Sequence, residues 1–107
     1  MPLVRIDANQ ISNWDDFHDT FSHVFDFPNF YGRNMNAWID CMTYLDESAA
    51  EMTGIHGSAS DMVILHIDNI AGLRDEIYEA LVECAAIVSW RRIEQGEEAI
   101  LAFSFHK

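Results

Sequence analysis

Residue types able to do chemistry are sparsely placed along this chain. The five histidines, His18, His23, His56, His66 and His106, include no pair at i and i+4 and no His-Glu-x-x-His pattern. The spacing that sets two imidazoles on one helical face for zinc is therefore absent. There is no Gly-x-Ser-x-Gly elbow, phosphate loop or dinucleotide fingerprint. Cys41 has no evident activating neighbour and reads as a packing residue. Asp40 with His56 or His66 is the one acid–base combination on offer, and only their presence supports it. Neither a catalytic residue nor a metal nor a cofactor is expected.

A binding role has more to draw on. Asn36, Asp40, Thr43 and Glu47 recur at helical spacing, apart from the apolar stripe Met35, Trp38, Met42 and Leu45. Ile39 falls at the border between the two stripes and is expected to be partly exposed. On spacing alone Asp40 reads as a solvated helix carboxylate, of a kind able to accept charge-assisted hydrogen bonds from arginine, lysine or histidine. The whole chain favours such partners, because 18 acidic against 6 basic residues give a formal charge of −12 over 107 residues. That field repels phosphate backbones and anionic membranes, and it draws in basic proteins. Arg91-Arg92 is the only adjacent basic pair, so direct nucleic-acid binding is not expected.

The elements that must position this face can be read in order. Leu3, Val4 and Ile6 form a short apolar strand ending at Asp7. Ser12, three residues before Asp15, predicts a capping-box start to a first helix whose core stripe is Trp14, Phe17, Phe21, Val24 and Phe25. Phe27-Pro28 ends that helix, Gly32 gives a flexible point, and a second helix starts from Asn34. Met62 to Ile67 is an apolar run of buried-strand type, expected at the centre of the sheet. One long helix or two joined ones lie between Asn69 and Gln95, with Ile77, Leu81, Cys84 and Val88 inward and Gly96 as the stop. Ala99 to Phe105 is the last strand. This alternation implies an α/β fold with a small parallel sheet, in one domain spanning 1–107. Asp46 to Asp61 is the richest loop composition. The isolated cysteines, the lack of an export-type start and the lack of any apolar run near the ~18 residues of a membrane span predict a reduced, cytoplasmic setting.

The stretch Phe27 to Leu45 also resembles the barstar family of ribonuclease inhibitors. The resemblance rests on Pro28, Phe30-Tyr31-Gly32, Asn34, Asn36-Ala37 and Asp40-Cys41-Met42-Thr43, and the element order agrees along the whole chain. It implies a three-stranded parallel sheet packed by three to four helices. It also implies a one-to-one complex with a basic ribonuclease or related toxin, whose cleft is entered by the loop and second helix in place of substrate phosphate. On this resemblance Asp40 is the principal contact and Phe30 and Tyr31 supply aromatic surface. Gly32 and Asn34 shape the loop, Asn36, Thr43 and Glu47 add polar contacts, and Ile39 and Tyr44 pack at the rim. Arg33 and Asn36 stand where the family pattern is acidic. The alternative is a regulatory or immunity module of the same fold that binds a partner other than a ribonuclease.

Overall fold

The structure, a computed structural model, describes residues 3–45 and 62–107. Its strands are β1 (Leu3–Asp7), β2 (Val63–Asp68) and β3 (Leu101–Phe105), and its α-helices are α1 (Trp14–Phe25), α2 (Met35–Thr43) and α3 (Asp75–Glu94). Short 3-10 turns follow β1 and β2. The sheet has the order β1-β2-β3 and both pairings are parallel, with Val4 opposite Leu65 and Leu65 opposite Phe103. The expected three-stranded parallel sheet and central β2 are both present, and the region before Gln95 holds one long α-helix.

Alternation decides which face of each strand meets the helices. Val4 and Ile6 in β1 and Val63, Leu65 and Ile67 in β2 are buried, while Ile64, His66 and Asp68 on the other face of β2 are only half-buried. β2 is therefore not sealed on both sides, as its apolar run had implied. Its second face carries a polar network. Arg5 donates to both oxygens of Asp68 at 3.0–3.3 Å, and His66 bridges Asp68 (3.1 Å) and Ser104 (3.0 Å). The bonds from Arg5, and then from His66, hold the Asp68 carboxyl below its ordinary range.

The helix ends follow capping chemistry. Asn13, not Ser12, caps α1: its Oδ1 accepts from Asp16 N at 2.8 Å, and the Asp16 carboxylate accepts from Ser12 N at 3.0 Å. The capping box predicted at Ser12 and Asp15 is thus shifted by one residue, because Asn and Ser are nearly equal as caps and packing chooses between them. Asp26 closes α1 in the left-handed conformation, and Phe27 N donates to Ser22 O at 3.1 Å. Gly96, at φ 75°, closes α3 in the same way, with Glu97 N donating to Arg92 O.

Phe17, Phe21 and Phe25 form the buried ridge of α1, and Trp38 of α2 meets Phe21 edge-on at 5.8 Å. α3 buries Ile77, Leu81, Cys84, Val88 and Arg92 along one side. The last of these is a buried guanidinium. Its Nε donates to Glu98 O at 2.6 Å and its Nη1 to Thr43 O at 3.0 Å, with Glu97 Oε2 at 3.1 Å. Arg92 thereby ties the end of α2 to the turn after α3.

Candidate functional site

The connection from α1 to α2 is held on both sides of an exposed tip. Tyr31 N donates to Pro28 O at 2.9 Å, and the Tyr31 ring packs on Phe27 with centroids 4.7 Å apart. Its hydroxyl lies 2.7 Å from His18 Nδ1, in a hydrogen bond whose direction follows the imidazole tautomer. Burial is the main cause pushing the Tyr31 hydroxyl above its ordinary value, so it stays protonated. Arg33 sits in the left-handed region at φ 55°, unusual for a residue with a Cβ. Its guanidinium reaches Asp19 at 2.8 Å and the Asp15 carbonyl at 3.3 Å, which fastens the loop to α1. Asn34 caps α2, its Oδ1 accepting from Ala37 N at 2.8 Å while its Nδ2 donates to Gly32 O. Between these anchors Phe30 is left 76% exposed. Covering such a ring completely would contribute on the order of 1.5–3 kcal/mol.

Loop and helix together enclose a groove of about 310 Å³ lined by Phe30, Tyr31, Gly32, Asn34, Asn36, Ala37, Asp40 and Cys41. Six of the ten expected contact residues, Phe30, Tyr31, Gly32, Asn34, Asn36 and Asp40, meet there. Gly32 lies against α2, since a Cβ at that position would come 3.2 Å from the Asn34 amide and 3.6 Å from Ala37. Asp40 stands half-exposed at the groove and accepts from Arg91 Nη1 of α3 at 2.7 Å. Burial and the adjoining Asp40 push the Cys41 thiol up to about 11, so at neutral pH it is a protonated wall of the groove and no nucleophile.

Two of the expected contact residues are not presented. Ile39, placed at the border of the polar stripe, is buried in the core, and Thr43 is 3% exposed with its hydroxyl donating to Ile39 O at 2.6 Å. The reason is that α2 packs against α3 as well as the rest of the core, so a second side of the helix is covered. Tyr44 is half-buried beyond the helix end and does not line the groove. Glu47 and His56, with the Asp46 to Asp61 stretch, lie outside the described residues. The contact that sequence reasoning did not foresee is the Arg91–Asp40 pair, set by the packing of α3 on α2. Among the described residues no group of three or more acidic, His or Cys side chains is arranged to hold a metal. Nor is any described helix long and apolar enough to cross a membrane.

His18 couples this loop to pH. Burial, and then the nearby Arg33 charge, hold its imidazole below the ordinary 6.5. The unfolded chain takes up this proton near 6.5 and the folded protein only at lower pH. Its stability contribution is therefore complete above that value and declines as pH falls through it towards the folded pKa. Thermal melts at pH 7.5 and 5.5 should show a larger loss for wild type than for His18→Gln. Parallel losses would mean that other groups govern the acid side.

Fold and site together define a class: a small α/β module that presents an aromatic-tipped loop and a helix carboxylate on a strongly acidic surface. The family model for barstar, the barnase inhibitor, matches residues 1–103, and the chain belongs to that family. It is also 40% identical over 43 residues to YrdF of Bacillus subtilis (strain 168), a proposed ribonuclease inhibitor by its name. That match takes in 40% of this chain and 47% of YrdF, so it spans about half the relative's length.

Proposed function

We propose that this protein is an intracellular inhibitor that binds a basic microbial ribonuclease one-to-one and blocks its active site with the α1–α2 loop and the exposed side of α2. The observation that carries this reading is the meeting of exposed Phe30 and half-exposed Asp40 at one groove on a chain of net charge −12. A cleft built to hold phosphate converges cations on its ligand, and a fixed carboxylate can stand in for the phosphate. The acidic surface speeds encounter with such a cleft, and the speed falls steeply with ionic strength. Barstar-family membership and the YrdF likeness support the inhibitor role over a regulatory one.

The test is a titration of RNA cleavage by a panel of barnase-type and other microbial ribonucleases with the purified protein. Inhibition of at least one enzyme should saturate at one equivalent, with nanomolar or tighter affinity, or roughly −12 kcal/mol. Undiminished cleavage across the panel at excess inhibitor would sink the proposal.

A further inference from the structure

The charge that most directly faces Asp40 is the protein's own. Arg91 reaches across from α3 to place Nη1 2.7 Å from Asp40 Oδ1, and the two side chains keep 41% and 52% of their surface in solvent. The pair thus bridges α2 and α3 in contact with solvent, and its Asp40 member lines the groove. A carboxylate oxygen engaged by one guanidinium offers less to another, and a second cation approaching Asp40 meets the like charge of Arg91.

We infer that Arg91 is a positioning residue that competes intramolecularly for Asp40 and so limits which cationic clefts this surface accepts. The inference rests on the ribonuclease-inhibitor reading and adds a selectivity element to the same site. A cleft that brings only cations must part Asp40 from Arg91 and leave Arg91 facing like charge. A cleft that sets a carboxylate beside its cation answers both members of the pair. Arg91 therefore lowers affinity for bare cationic clefts, although it belongs to no part of the loop that enters them.

The experiment measures affinity and association rate for wild type, Arg91→Ala, Arg91→Lys, Asp40→Ala and the Asp40→Ala/Arg91→Ala double variant, using the ribonuclease panel as probes. Arg74→Ala removes one positive charge from the opposite end of α3 and serves as the control for net charge. Arg91→Ala should bind the most cationic ribonuclease about five- to tenfold more tightly than wild type. Arg91→Lys should stay within about twofold of wild type, as should Arg74→Ala. In the Asp40→Ala background the gain from Arg91→Ala should vanish, which a purely structural role of Arg91 would not produce. Wild-type binding that is weakened by Asp40→Ala yet unchanged or weakened by Arg91→Ala would overturn this inference alone. Failure of both wild type and Arg91→Ala to bind any ribonuclease would overturn it together with the reading beneath it.

Discussion

Asp40→Ala is expected to weaken binding to the target ribonuclease by about 30- to 150-fold while leaving the protein folded. Truncating one member of a desolvated, hydrogen-bonded charge pair at an interface costs about 2–5 kcal/mol, much of it from the partner cation left buried and unanswered. The lower part of that range applies here, because Arg91 already engages Asp40 and a partner gains only the difference. Asn36→Ala, which removes a neutral amide from the same groove, should cost less than about tenfold. Both affinities can be read by competition titration. Melting curves serve as the control, since loss of an exposed ion pair alters stability by only about 0.2–1 kcal/mol. If both variants bind as wild type does, the interface lies elsewhere on the molecule.

Arg92→Ala should have the largest effect on stability, a loss of about 3–5 kcal/mol. The guanidinium is 2% exposed and donates to the carbonyls of Glu98 and Thr43 while pairing with Glu97. Removing it strands two acceptors, each costing about 1–3 kcal/mol, and opens a cavity among close-packed neighbours. For a domain of this size that corresponds to a melting temperature lower by roughly 10–20 °C. Arg92→Lys should recover only part of the loss, because an ammonium has no planar fork to serve carbonyls on two separate segments. A loss below about 1 kcal/mol for Arg92→Ala in urea unfolding would show that the end of α2 is fixed by packing alone. Because Thr43 closes α2, the same substitution should also blunt inhibition.

These expectations mark the boundary between what the sequence shows and what it hides. The strands, the aromatic ridge of α1 and the Asn34 cap were legible because each rests on local periodicity or local hydrogen bonding, whereas Phe30, Tyr31 and Asp40 were singled out together only through the barstar resemblance. Ile39 and Thr43 were misplaced because a helical wheel defines one buried face, whereas α2 is covered from two directions. Thr43 also satisfies its own hydroxyl within the helix, so its polarity does not require solvent. The two arginines of α3 differ most of all. Adjacent in sequence and identical in type, they point about 100° apart, so one enters the core and the other meets Asp40. Contacts made across such a separation leave no periodic trace.

The parallel sheet sets the timing of the molecule's birth. Among the described residues no strand is paired with a neighbour joined by a tight turn, and β1 finds its described partner only once β2 has been synthesised. At about 5–20 residues per second, the ribosome takes several seconds to add that stretch, and the aromatic ridge of α1 spends the interval without its sheet. Folding dominated by such distant pairings is correspondingly slow, on the order of milliseconds to seconds. A cell relying on this protein against a nuclease made at the same moment would gain from translating the inhibitor first.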